Sequence, residues 1–460
     1  MTGLLSQANR SRGGSGETPG ELRSNRRGAL ALLAVLVGIA LLAVLTDHVM
    51  YVVGAVGFLL ALLISVQLHE TGHFVLARRF GMKATQFFVG FGPTLWSRTR
   101  GETEYGVKAV PAGGYVKIAG MTPLEEMEPG DEDRAFYRQP VRQRVAVLAA
   151  GALVQFVLAV ALVLVAVFAL GLPVERAPAV GRVSACVADD PGVGQPDVAP
   201  AQVCDLPGAR PAPAQAAGLQ VGDVLLAVDG QPVDGSRALT QALRTSADRP
   251  VVLDVQRGEE RLALPVTPAA VSRVDLEQVD KRVVAGTIGI VVRPRQDTER
   301  QGFVQSAEDS GQLLKAFVVG IKTTVTTKLG SVADLYSDER DPAGLVGIVG
   351  VGRISGEVLE SEETVSVKAF TFLATIASLN LFVGLFNLLP LLPLDGGHVA
   401  VAVYEGARDK LRRLRGYRGP LQRVDYNKLL PVTYAVAGSF LLLTLFILGA
   451  DLVNPIRLSS

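Results

Sequence analysis

Residues 49–73 read VMYVVGAVGFLLALLISVQLHETGH, an uncharged run from Val49 to Leu68 that passes without a break into His69-Glu70-Thr71-Gly72-His73. A hydrocarbon core of ~30 Å takes about 20 residues of helix, so this run is long enough to cross a bilayer and the two histidines end it. Positions i and i+4 of a helix share a face, so both imidazoles can reach one zinc ion. Glu70 beside them can take a proton from the attacking water. Ionisable residues are costly inside a membrane segment and are kept there for function. With four histidines in 460 residues, a chance H-E-x-x-H is rare.

The apolar residues of the rest of the chain also come in blocks. They make up 49% of the sequence, against 19% charged residues and a net charge of +1, so overall charge gives a nucleic-acid role no support. Gly28 to Thr46 is uncharged and follows a tail ending in Arg23, Arg26 and Arg27. A cleaved signal peptide would have an apolar region of ~7–15 residues; this run is longer and ends in Thr46-Asp47-His48, which favours an uncleaved anchor. Further spans are expected at Val145–Leu172, closed by Pro173, at Ala369–Leu392 and at Leu430–Leu448. Arg78, Arg79 and Lys83 follow the second span, and Arg142 and Arg144 precede the third. The cluster Arg408, Lys410, Arg412, Arg413, Arg415 and Arg418 separates the fourth from the fifth. With the N-terminal tail inside, all these loops become cytoplasmic, as the positive-inside rule asks. The long stretch between spans three and four is then extracytoplasmic.

That stretch opens with a Pro- and Ala-rich region. It continues with Ala217-Gly218-Leu219 and the strand-like Val221-Gly222-Asp223-Val224-Leu225-Leu226-Ala227-Val228, closed by Asp229-Gly230. Ser236 is expected to cap a helix, Arg237 to Arg244. Val251–Val255 and Arg261–Val266 read as a hairpin around Arg257-Gly258. This phrasing resembles a PDZ domain of the kind attached to bacterial envelope proteases, which implies capture of an extended peptide beside an exposed strand; a β-rich spacer remains the alternative. Cys186 and Cys204, the two cysteines of the chain, both fall here. In an oxidising compartment an even count suggests a disulfide, although two free thiols fit the spacing as well. Beyond it, Gln312 to Leu335 is apolar on one face and reads either as a helix at the membrane surface or as a packing helix. Gly344 to Gly356, with its five glycines, reads as a loop or bent segment.

Catalytic zinc usually has three protein ligands and one open position. The third should lie at similar depth in another span, and the fourth span supplies Asn387-Leu388-Leu389-Pro390-Leu391-Leu392-Pro393-Leu394-Asp395-Gly396-Gly397. Asp395 is its one acid. Two prolines break the helix there, and Gly396 and Gly397 let backbone approach closely. A plain helix cap is the alternative for Asp395, and His398 is a rival ligand.

His69-Glu70-x-x-His73, then Asn387-x-x-Pro390-x-x-Pro393-Leu394-Asp395-Gly396-Gly397, with a PDZ-like domain between, resembles the site-2 protease family of intramembrane zinc metalloproteases. Phe91-Gly92-Pro93-Thr94-Leu95-Trp96 and Gly113-Gly114-Tyr115-Val116-Lys117 are similar to that family's segment after the first motif. The ending Asp451-Leu452-Val453-Asn454-Pro455 resembles its actinobacterial branch with one PDZ domain. The first span lies outside the family's minimal core, and Gly344-Leu345-Val346-Gly347-Ile348 lacks the proline of a frequent Pro-x-Gly-Ile element.

The resemblance implies a polytopic α-helical membrane protein with a membrane re-entrant β-hairpin and an inserted extracytoplasmic α+β PDZ domain. It implies zinc on His69, His73 and Asp395, with Glu70 as catalytic carboxylate. Gly113, Gly114 and Tyr115 would hold substrate, and Asn387 could donate to substrate backbone or to the oxyanion, or serve structurally. The implied partners are single-pass membrane proteins already trimmed by an upstream site-1-type protease, anti-sigma factors among them, a peptide at the PDZ domain, and the lipid bilayer; no nucleic acid is expected. The expected parts are a disordered basic cytoplasmic tail (1–27), an extra helix (28–47), the H-E-x-x-H helix (49–80), the hairpin region (84–120), a cytoplasmic loop (121–144), a span (145–172), the PDZ-like domain (176–300), a juxtamembrane region (301–365), the segment carrying N-x-x-P-x-x-P-L-D-G-G (366–398), a basic cytoplasmic loop (405–428) and a last span (429–449). A transporter should show repeated halves, and none are evident. A PDZ scaffold on five spans would not need the two histidines and Glu70.

Overall fold

The computed structural model describes residues 44–121, 129–189, 200–274, 281–328, 344–419 and 423–456, with single positions between them. The expected tail 1–27 and most of the expected first span, 28–46, lie outside the described residues. In chain order the main elements are α1 (Val49–Arg79), β1 (Ala84–Arg100), β2 (Thr103–Ile118), α2 (Val141–Val165), β3 (Leu172–Val183), β4 (Val224–Val228), α3 (Ser236–Arg244), β5 (Val251–Arg257), β6 (Glu260–Val266), β7 (Ala269–Val274), β8 (Arg282–Thr287), β9 (Ile290–Glu299), α4 (Phe303–Thr323), α5 (Ile348–Glu360), α6 (Val365–Asn387), α7 (Asp395–Leu414) and α8 (Tyr426–Val453). They fall into two compact units. One comprises the chain up to Ala166, Ala307–Ser361 and Thr371 onward; the other comprises Val167–Ser306 with Glu362–Phe370.

Helices α1, α2 with its continuation to Leu170, α6 and α8 are long and apolar enough to cross a membrane. Their outer faces carry exposed Val53, Leu60, Ile64, Leu153, Val157, Leu441 and Leu442. Apolar surface on this scale belongs against lipid, not water. The chain is a polytopic membrane protein with an inserted sheet-rich unit.

Helix α5 is a departure from expectation: the glycine-rich 344–356 stretch forms helix from Ile348 onward, not a loop. Glycine disfavours helix by up to ~1 kcal/mol per residue, and two contacts offset that here. Gly54 of α1 and Gly356 of α5 let the helices touch backbone to backbone; a Cβ on Gly356 would stand 2.8 Å from the Tyr51 carbonyl oxygen. At the start of α5, the Gly347 and Gly350 amides both donate to Asp451 Oδ2 of α8, each at 2.9 Å, which satisfies orphan donors of the first turn.

The 366–398 segment also departs from the single span expected. Helix α6 stops at Asn387, the Leu388–Leu394 turn includes Pro390 and Pro393, and α7 starts at Asp395. Asp395 therefore opens a helix instead of ending one. Gly397 makes the turn possible, since a Cβ there would meet the Leu392 nitrogen at 2.5 Å.

The second unit is built on an antiparallel sheet in the order β9-β3-β4-β5-β6. Val180, Leu225, Leu239, Leu253, Val255 and Ile288 form its core, with α3 packed against it. The β4 strand ends at Asp229 and Gly230, both at positive φ, as the Asp-Gly pair predicts. The cap of α3 is Gly235, at φ 95°, with Ser236 as the first helical residue and its hydroxyl not bonded to the backbone as a cap. Cys186 and Cys204 are joined as a disulfide. The expected helix of 312–335 begins earlier, at Phe303.

Candidate metal centre

Helix α1 carries His69 and His73 one turn apart, so both rings leave the same face. Their Nε2 atoms are 3.0 Å apart, and Asp395 Oδ2 of α7 lies 3.1 Å from the first and 3.2 Å from the second. In a tetrahedral site with bonds of ~2.0–2.1 Å the ligand atoms are about 3.3 Å apart, close to this spacing. The protonation pattern also calls for a cation. His73 Nδ1 lies 2.7 Å from the Val147 carbonyl of α2; a carbonyl can only accept, so Nδ1 carries the proton, and in the neutral ring Nε2 then presents a lone pair. Asp395 Oδ2 presents another and is buried without a hydrogen-bond partner among the described residues. A cation held between His69 Nε2, His73 Nε2 and Asp395 Oδ2 would satisfy all three atoms at once, so the residues fit zinc.

Gly151 of α2 makes room for the site. A Cβ there would lie 2.5 Å from His73 Nε2 and 2.6 Å from His69 Nδ1. The phase of α1 is fixed one turn earlier, where Asn380 of α6, buried in the middle of its helix, donates from Nδ2 to Ser65 Oγ at 3.0 Å and to the Ile376 carbonyl at 2.8 Å. Asn380 stands out as a lone amide in an apolar run, a signal present in the sequence. Gly151 sits among Ala and Val and carries no such mark.

Glu70 is half-buried, and its Oε2 accepts from the Val116 amide of β2 at 3.1 Å. The β1–β2 hairpin is therefore held against the metal ligands. Its long β2 strand folds back, so that Gln86–Val89 pair with Glu104–Val107 on one side and with Gly114–Lys117 on the other. Gly113, at φ 135°, sits at this return. Gly114 lies against the Gln67 side-chain amide, leaving no space for a Cβ. Tyr115 stacks on Phe88 and Phe91 and donates to Gln86 Oε1 at 3.2 Å.

The structure thus brings together His69, His73, Asp395, Glu70 and the Gly114–Val116 strand. Asn387 ends α6, half-buried, with the seven-residue turn between it and Asp395. His398 stands apart from the three ligand atoms, its ring stacked on Tyr426.

Comparison with known proteins identifies the family. Residues 57–420 match Peptidase family M50. The chain is 40% identical over 427 residues to the zinc metalloprotease Rip1 of Mycobacterium tuberculosis (strain H37Rv), covering 89% of this chain and 99% of that protein. It is 36% identical over 422 residues to the Rip1 of Mycolicibacterium smegmatis, with the same coverage. It is 27% identical over 402 residues to the metalloprotease MmpA of Caulobacter vibrioides, covering 81% and 92%. A donor set that fits zinc inside a helical membrane unit, and a match running through most of the sequence, lead to one conclusion: the chain belongs to peptidase family M50, the site-2 protease family of zinc metalloproteases.

Proposed function

We propose that the protein hydrolyses peptide bonds within or next to transmembrane helices of other membrane proteins, with His69, His73 and Asp395 holding zinc and Glu70 as the catalytic carboxylate. The observation that carries this reading is the convergence of three ligand atoms from two separate helices, with Glu70 and a strand edge beside them. Zinc bound there would polarise the scissile carbonyl and acidify the attacking water. Glu70 takes the water's proton and passes it to the leaving amine. A substrate helix must unwind first, because its own hydrogen bonds hide its carbonyls. Among the described residues the Gly113–Lys117 strand pairs only with β1; its other edge, where the Val116 amide meets Glu70, could hold an unwound segment extended by strand addition, with the hairpin dipping into the membrane. Asn387 would donate to substrate backbone or to the oxyanion.

In the topology we favour, the N-terminus and the basic loops face the cytoplasm and the metal centre lies toward that side. The sheet unit, with its disulfide, lies outside the cell membrane. As a PDZ-like domain it would bind a peptide or exclude uncut proteins, so that an upstream site-1-type protease must trim the substrate first. Anti-sigma factors cut in regulated intramembrane proteolysis are the substrate class this arrangement suits.

With purified protein and a reporter membrane substrate, Glu70→Gln should leave zinc content intact and abolish cleavage. Undiminished cleavage would sink the mechanism. A reporter that works only in the cytoplasm, fused at Asp223, should be silent; activity there would reverse the topology.

A further inference from the structure

Ten residues along α7 from Asp395 stands Glu405, 5% exposed, which receives Arg144 Nη1 of α2 at 2.8 Å. Arg144 is itself only 4% exposed. Glu405 also accepts from Arg423 Nη1 at 3.3 Å and from the Val424 amide at 2.7 Å. Two guanidinium groups thus share one carboxylate where water is largely shut out. Burial, and then the charge of Arg144, push the Arg423 guanidinium down from its ordinary value. Arg144 Nε and Nη2 are buried with no partner among the described residues, so part of its charge is left uncompensated. A buried cation left short of counter-charge is an expensive arrangement in a fold.

A cavity of about 830 Å³ opens at this cluster, between the start of α2 and the second half of α7. Six basic side chains line it, Arg138, Arg142, Arg144, Lys410, Arg413 and Arg423, against two acids, Glu405 and Asp409. Neither acid is available: Glu405 is shared by two arginines, and Asp409 is taken by Arg413 at 2.9 Å. Pro140 and Val141 also line the cavity, so it includes the N-terminus of a 25-residue helix, whose first amides have no acceptor within the helix and favour an anion. Next to it, α7 exposes Val403, Tyr404, Leu411 and Leu414 at helical spacing, with Arg408 over the Tyr404 ring. An apolar face edged by arginines suits a helix lying at a membrane surface.

We propose that this cavity is a phosphate-binding site, with the headgroup of an anionic phospholipid as the source that the flanking apolar face favours. Arg144, buried at the floor of the cavity, contributes positive charge to the site rather than direct contacts. Arg142, Lys410 and Arg423 supply the remaining charge, and the acyl chains lie along the exposed face of α7. The anion would fasten α2 to α7, the helices that carry Gly151 and Asp395. This goes beyond the protease reading and does not depend on it.

The test uses full-length protein purified in a neutral detergent. Dihexanoyl phosphatidylglycerol, dihexanoyl phosphatidylcholine and inorganic phosphate are compared by thermal shift, and lipid retention is read by native mass spectrometry. The glycerol lipid should be retained and raise the melting midpoint, while the choline lipid should do neither. Arg144→Gln should weaken binding by at least about tenfold, a loss of ~1.4 kcal/mol. Because Arg144→Gln also breaks a buried pair, Arg142→Gln with Lys410→Gln, both at the cavity wall, should show the same loss in a chain that still folds. Inorganic phosphate binding as well as the lipid supports the site with a soluble phosphate as its ligand. No binding of either, or binding unchanged in both variants, overturns it. These readouts do not involve proteolysis, so failure here leaves the protease reading untouched.

Discussion

A methyl group at position 151 would press on both imidazoles, standing 2.5 Å from one ring nitrogen and 2.6 Å from another. Gly151→Ala should therefore turn the rings from their common point. Disturbing the groups that orient metal ligands typically costs 10–100-fold in metal affinity, and zinc per chain, measured by atomic absorption after dialysis, should fall accordingly. Gly438→Ala is the control, since nothing lies within 4 Å of its would-be Cβ; equal zinc in the two variants would remove Gly151 from the site. At this scale the sequence exposes residues whose chemistry is foreign to their surroundings. His69, Glu70, His73 and Asp395 are polar groups in apolar runs and are legible for that reason. The role of Gly151 depends on space left beside a neighbouring helix, which no single-chain pattern records.

Among the described elements, four long apolar helices and the β5–β6 hairpin follow directly from apolar length and alternation. Helix α5 does not. Its glycines argue against helix locally, and only the approach of α1 and the Asp451 carboxylate reverse that balance. The β4–β5 pair carries a charge-dependent contact. Asp223, buried at the edge of β4, takes two bonds from Arg257, each 2.7 Å, and one from the Gln220 amide at 2.8 Å. Burial raises its carboxyl, but the Arg257 guanidinium and the amide outweigh that and hold it below its ordinary value of 3.8. A carboxyl depressed in the folded state adds stability above its unfolded value of about 3.9, and that contribution is lost as pH falls through the folded one. Cleavage by pepsin within residues 172–299 should accelerate as the medium is acidified below about pH 4. Arg257→Gln should be cut faster throughout and depend less on pH over that range. An unaltered pH dependence in that variant would remove the pair from the account.

For the whole molecule, the division into a helical membrane unit and an inserted sheet unit was legible from hydropathy and turn residues. The meeting of α1 with α7 was inferred only from chemistry, because contacts between distant segments leave no periodic trace. The Ser65–Asn380 bond bears on how such a meeting lasts. A helix advances about 100° per residue, so a small rotation of α1 would swing both histidines off Asp395 without breaking one backbone bond. The bond from α6 fixes the angular setting one turn before His69. Asn380→Leu should then lose activity on warming well before its helical circular dichroism melts, opening a gap between inactivation and unfolding temperatures that the parent protein shows less. If the two temperatures move together, the bond is only packing. On this account heating would cost the enzyme the angular alignment of its ligands before it cost the helices that carry them.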